Sequence, residues 1–268
     1  MQTLLLTNDD GIDSPGLRYL VEELNLRGFE IYVVAPERQV SGAGKSNSFT
    51  VKVKKYELEG VKAAWAIEGK PADAVAVGVK ALLPKRPHMV VSGINIGPNM
   101  GLVDFFTSGT IGAAIEAVLL GIKSVASSYA VLRGLSQDKD YRWLKLSASL
   151  TAEIVARLAD VIYDLVDVDI VNLNFPRGEP KGIDFASIAN ISNIEVYNGE
   201  EDSTYHVLGW RTDDIQLAYE GGDEGSDVSL VKKGYVAVTP ICIRCLSLGT
   251  YPASSVPKLR EALAGLLA

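Results

Sequence analysis

The residues best suited to chemistry lie at the start of the chain, where Thr7-Asn8-Asp9-Asp10-Gly11-Ile12-Asp13-Ser14 follows an apolar run at residues 2–6. Adjacent carboxylates at a strand end repel each other unless a cation lies between them, and a hard divalent metal is the usual answer. An Asx-turn feeding a helix start accounts for Asp13 and Ser14, so this loop alone leaves both readings open. A second polar loop, Ala35 to Ser46, has glycines and hydroxyls suited to close backbone approach to phosphate or metal. It is not a P-loop, because Gln39 stands where the first glycine is required. Lys45 in this loop is a cation placed to face an anionic substrate. The third loop, Val91 to Gly101, carries Asn95, which offers an oxygen to a metal or a donor to a phosphate. Thr107-Ser108-Gly109-Thr110 then opens a helix. A helix start binds phosphate through its unpaired N–H groups, although Ser and Thr there also serve as ordinary N-caps.

Patterning shows what must hold these loops. Residues 2–6 read as a buried strand, and Ser14-Pro15 as the N-cap and first turn of a helix. Leu17, Leu20, Val21 and Leu24 follow at helical spacing, Gly28 ends the helix, and Ile31 to Ala35 is the next strand. This β-α-β unit implies parallel pairing with a right-handed crossover. Phe49 to Tyr56 and Ala63 to Ile67 form a strand pair, Pro71 to Leu83 a helix, and His88 to Ser92 another core strand. Helices at Ser108 to Leu120 and Tyr141 to Leu158 alternate with strands at Ile122 to Ser128 and Val168 to Leu173. The expected fold is α/β, a Rossmann-like open and mainly parallel sheet. Residues 1–175 form the catalytic core in this reading. Residues 176–268 form a β-rich extension that packs on the core or on a partner subunit, with an acidic stretch at Glu220 to Asp227 and a terminal helix at Val256 to Leu267.

Composition narrows the partners. The 268 residues carry a net charge of −7, which argues against wrapping a nucleic-acid backbone. No run of about 18 apolar residues suggests a membrane span, and the N-terminus lacks the marks of a signal peptide. A cytoplasmic protein is expected. Cys242 and Cys245 fall in an apparent strand and strand end, where a separation of three puts them on opposite faces. They read as buried thiols, with a disulfide open only after a local bend.

The three loops converge on one edge, and five motifs follow one another along the chain: T-N-D-D-G-I-D-S-P-G, V-A-P-E-R-x-x-S-G, G-K-P-A-D-A-V, V-V-S-G-I-N-x-G-P-N-M-G and S-G-T-x-G-A-A-x-E. Together they resemble the SurE family of stationary-phase survival proteins, and G-Y-V-A-V-T-P at 234–240 is similar to a later family motif. The resemblance implies a nucleoside 5′-monophosphate phosphatase with one divalent metal ion, Mg or Mn, and activity in some members on 3′-nucleotides or short polyphosphate. It maps the metal ligands onto Asp9, Asp10, Ser41 and Asn95, and the phosphate cradle onto Ser108, Gly109 and Thr110. It also implies a homodimer or homotetramer built through the C-terminal segment. For the chemistry, Asp9 is the expected general base for an attacking water. Two rivals remain at this level: a nucleotide-binding regulatory module without turnover, and a haloacid-dehalogenase-like phosphatase with a covalent aspartyl intermediate. The second expects D-x-D-x-[TV], where this chain has Asn8-Asp9-Asp10-Gly11. The two histidines, His88 and His206, lie outside every motif, which disfavours a histidine phosphatase.

Overall fold

The structure is a computed structural model that describes residues 2–132, 138–191, 196–198, 205–207, 215–219, 221–247 and 256–266. The opening β-α-β unit consists of β1 (Thr3–Thr7), α1 (Pro15–Leu26) and β2 (Glu30–Pro36), with β1 and β2 parallel. Pro15 occupies the first turn of α1, while the Ser14 hydroxyl makes no capping bond. The chain continues through β3 (Lys52–Tyr56), β4 (Ala63–Glu68), α2 (Pro71–Val77), a π-helical turn (Gly78–Leu82) and β5 (Met89–Ile96). Next come α3 (Gly101–Thr107), α4 (Gly109–Leu119), β6 (Ser124–Tyr129), α5 (Asp138–Leu158) and β7 (Ile170–Phe175). The last third holds β8 (Ile183–Phe185), β9 (Val196–Asn198), β10 (Tyr205–Val207), α6 (Ile215–Ala218), α7 (Asp227–Lys233), β11 (Val236–Ile241) and α8 (Val256–Ala262).

The main sheet has nine strands in the order β3-β4-β2-β1-β5-β6-β7-β11-β8. Its six central strands, from β4 to β7, are all parallel, whereas β3 runs antiparallel to β4, and β11 runs antiparallel to β7 and parallel to β8. Successive side chains of a strand point to opposite faces, and β1 divides its leucines accordingly. Leu4 and Leu6 pack with Leu17, Leu20 and Leu24 of α1 and Leu144 and Val155 of α5. Leu5 packs with Ala74 and Val75 of α2 and Ala113 and Ala117 of α4. Burying each large side chain contributes roughly 1.5–3 kcal/mol, so helices on both faces fix the plane from which the site loops emerge.

Three sequence expectations change. The strand expected from Phe49 begins only at Lys52, because Phe49 is fully exposed and the Ser48 N–H is taken by the Asp73 carboxylate (2.8 Å). The glycine-rich stretch before Ser108 contains a helix, α3, secured by tertiary contacts: Leu102 N–H donates to the Ala189 carbonyl (3.0 Å) and Tyr219 OH to Asp104. Cys242 and Cys245 are joined in a disulfide, because β11 ends at Ile241 and the chain bends into a 3₁₀ turn at Arg244–Ser247. That bend removes the opposite-face geometry a strand would have imposed. In the segment 176–268, β11 and β8 complete the main sheet, and β9 pairs with β10. Glu220 and the expected helix end at Leu267 lie outside the described residues. No single described helix is long and apolar enough to cross a membrane.

Candidate active site

Strands β1 and β5 are neighbours, yet the chain leaves β1 towards β2 and β4 on one side and leaves β5 towards β6 and β7 on the other. Such a reversal opens a crevice at the carboxyl ends of the two strands, the usual ligand position in this architecture. Asp9 and Asp10 follow β1, and Asn95 lies near the end of β5. Asp10 joins the two strand ends directly: its Oδ2 accepts from the Ile96 N–H at 2.8 Å, and its Oδ1 from Gln39 Nε2 at 3.4 Å. The β5–β6 register shifts between Ser92 and Asn95, an irregularity that re-aims the side chains beyond it. Asn95 is buried and donates from Nδ2 to the Gly97 carbonyl (2.8 Å), leaving its amide oxygen as the acceptor.

Asp9 is buried against the start of α4, where its Oδ1 accepts from Thr110 Oγ1 at 2.6 Å. A Cβ on Gly109 would lie 2.9 Å from Asp9 Cβ and 3.0 Å from its Oδ2, so only glycine lets the helix start come this close. Burial raises the Asp9 pKa above the ordinary carboxylate value, opposed by the Thr110 hydroxyl and the backbone N–H groups of Gly109 and Thr110. Burial, with the Asp9 charge adding to it, pushes Asp10 up to about 7, against the Ile96 N–H. Neither aspartate forms an ion pair with a described residue. Among the described residues, no three His, Cys, Asp or Glu side chains are grouped to hold a metal. The donors present are two carboxylates with hydroxyl and amide oxygens, a hard set that fits Mg or Mn. The Asn8 Oδ1 beside them is buried without a described partner, a further acceptor at the same edge.

The second loop is laced onto this edge by its backbone. Ile12 N–H donates to Pro36 (2.8 Å), Val40 N–H to Asp9 (2.8 Å) and Gly44 N–H to Thr107 (2.8 Å). Gly112 of α4 lies so near that a Cβ there would fall 2.2 Å from the Gly44 carbonyl oxygen. Ser41 is exposed one residue past the Val40 anchor, and its hydroxyl has no hydrogen bond among the described residues. Lys45 is not the open cation expected from sequence. Its ammonium pairs with Glu116 Oε2 of α4 at 2.7 Å, since that carboxylate is buried and needs a counter-charge. At the helix start, Ser108 Oγ caps α4 by accepting from the Ile111 N–H (3.1 Å), and the Thr110 hydroxyl is spent on Asp9. The Gly109 and Thr110 N–H groups also lean on the Asp9 carboxylate, so the helix start acts on this edge through Asp9 and its positive end.

Two supports escaped the sequence reading. Asn172 and Asn174, two apart on β7 and so on one face, both donate to the Asn99 carbonyl (3.0 and 3.1 Å). The Asn99 side chain bonds Ser128 Oγ (2.8 Å), and its N–H bonds Asn174 Oδ1 (2.8 Å). This network pins the loop after β5, and a same-face polar pair inside an apolar strand was the signal for it. Asp227, at the start of α7, accepts from the N–H groups of Gly101 (3.0 Å), Ala189 (2.9 Å) and Val228 (2.8 Å). Burial still holds its pKa above the usual range. It ties the site loop to the last third of the chain, and sequence offers no local sign of a partner 126 residues away.

A carboxylate pair at the switch point of a parallel sheet, set against a helix start, defines an α/β protein whose ligand edge suits a phosphate and a hard cation. Residues 4–197 match the family described as Survival protein SurE, and the chain belongs to that family. It is 36% identical over 244 residues to the 5′-nucleotidase SurE of Pelotomaculum thermopropionicum, covering 89% of this chain and 88% of that one. It is 35% identical over 269 residues to the 5′-nucleotidase SurE of Methanopyrus kandleri, covering 98% and 99%. The crystal structure of SurE protein from Aquifex aeolicus superposes with a TM-score of 0.71 at 30% identity, covering 96% and 99%.

Proposed function

We propose that this chain hydrolyses nucleoside 5′-monophosphates to nucleoside and phosphate at the edge formed by Asp9, Asp10, Asn95 and the start of α4. The observation that carries the reading is the bond from the Ile96 N–H to Asp10, which draws the β1 and β5 loops into one crevice. Asp9, Asp10, Ser41 and Asn95 would hold one divalent cation, Mg or Mn. When bound, that ion supplies charge neutralisation and a bound water of lowered pKa.

The chain's own groups do the rest. Asp9 accepts the proton of the attacking water, and Thr110 fixes its carboxylate for that task. The positive end of α4 at Gly109 and Thr110, whose N–H groups lean on Asp9, stabilises the charge that gathers on the phosphate in the transition state. Asp10 stays anchored on the Ile96 N–H through the reaction. Residues 176–268 are proposed to carry self-association into a homodimer or homotetramer. Support comes from an apolar groove where Phe185, Ile188 and Val256 of that segment meet Phe105 and Phe106.

The test is phosphate release from a panel of nucleoside 5′-monophosphates, 3′-monophosphates and short polyphosphate. EDTA should abolish release, and Mg or Mn should restore it. Full activity in metal-free protein would remove the site assignment.

A further inference from the structure

A polar cleft of about 230 Å³ lies where β2 and β4 end, with Pro36 and Ile67 in its floor and Glu37, Arg38, Gln39 and Glu68 around it. Its volume falls below the roughly 300–1,000 Å³ of drug-sized pockets, so it suits one flat ring system and part of a sugar. The floor is rigid, because Glu37 N–H donates to the Ile67 carbonyl at 2.9 Å across paired strands. Gln39 both lines the cleft and reaches Asp10, making the cleft continuous with the carboxylate edge.

Charge indicates what the cleft would take. Arg38 is exposed and forms no ion pair or hydrogen bond among the described residues, although its backbone is packed 3.1–3.2 Å from where a Gly11 Cβ would sit. A guanidinium on an anchored stretch of backbone and free at its tip is suited to stacking on a base. Lys54 bridges Glu37 (3.1 Å) and Glu68 (3.7 Å), and Lys52 holds Glu68 at 3.0 Å. These lysines fix the two carboxylates, which retain acceptor positions for N–H donors.

Resting on the phosphatase reading, we infer that this cleft is the subsite for the nucleoside half of the substrate. The base lies between the Pro36–Ile67 floor and the Arg38 guanidinium, and Glu68 accepts from its edge. Guanine fits best, because its ring N–H and exocyclic amine present two parallel donors to one carboxylate. Hypoxanthine has only the first of these.

Equilibrium binding of guanosine, which has no phosphate, tests the subsite apart from the chemistry. Arg38→Ala should weaken guanosine binding by about tenfold, the scale of one lost base stack. Glu68→Gln should erase the preference for guanosine over inosine. In turnover, the ratio of kcat/KM for guanosine 5′-monophosphate to that for phenyl phosphate should fall about tenfold in Arg38→Ala. Undiminished guanosine binding in both variants, or an unchanged ratio, would overturn the subsite. Failure of the wild-type protein to hydrolyse any nucleotide would instead overturn the phosphatase reading, and guanosine binding would still decide the cleft.

Discussion

Replacing Asp10 with asparagine should stabilise the metal-free protein while disabling the enzyme. Burial and the neighbouring Asp9 charge carry the Asp10 pKa from 3.8 to about 7 in the folded chain. Each pH unit corresponds to about 1.4 kcal/mol, so ionised Asp10 costs the fold on the order of 4 kcal/mol at most. Asp10 is only half-buried, and solvent screening reduces that to about 2 kcal/mol. The folded pKa is the raised one, so stability is fully present below about pH 4 and is lost as pH rises through about 7. Asparagine keeps the acceptor for the Ile96 N–H, and the exposed Gln39 amide can rotate to meet the new donor. Thermal unfolding in EDTA across pH 4–8 reads the effect. The variant's advantage should grow between about pH 4 and pH 7 and then level off, at about 4–8 °C for a chain of this size. Added Mg or Mn should stabilise the wild type far more than the variant. A variant no more stable than the wild type in EDTA at pH 8 would show that burial and the Asp9 charge do not hold ionised Asp10 at a cost to the fold.

Thr110→Val removes the hydroxyl that orients Asp9, and should lower kcat about 10–100-fold with little change in KM, as steady-state kinetics would show. Lys45→Ala strands the Glu116 carboxylate and should cost about 1–3 kcal/mol in denaturant unfolding, with Lys45→Ala/Glu116→Gln regaining most of the loss. Single-turnover hydrolysis in ¹⁸O-labelled water should place the label only in released phosphate. Label found by mass spectrometry in the Asp9 peptide would signal a covalent aspartyl intermediate.

Local patterning carried most of the parallel core, because buried strands and amphipathic helices write their burial into adjacent residues. The β1 leucines and the Leu17–Leu24 face of α1 needed no distant information. Asp9, Asp10 and the Gly109–Thr110 helix start were legible for a similar reason: each sits beside a strand end or a helix start. What sequence could not supply was pairing at long range. Lys45 looked free until Glu116 was placed beside it, and α3 looked like loop until Ala189 and Tyr219 closed over it. The disulfide depended on where β11 stops, and the role of Asp227 depended on a loop from the other end of the chain.

In the proposed mechanism Asp9, held at the start of α4, activates water for attack on a nucleoside monophosphate. The most direct measurement is kcat/KM for guanosine 5′-monophosphate, in the wild type and in Asp9→Asn, at saturating Mg or Mn. Loss of a general base should lower the value by ~10²–10⁴-fold, with the variant still folded by circular dichroism. A folded Asp9→Asn protein that keeps more than about a tenth of wild-type activity would contradict the account.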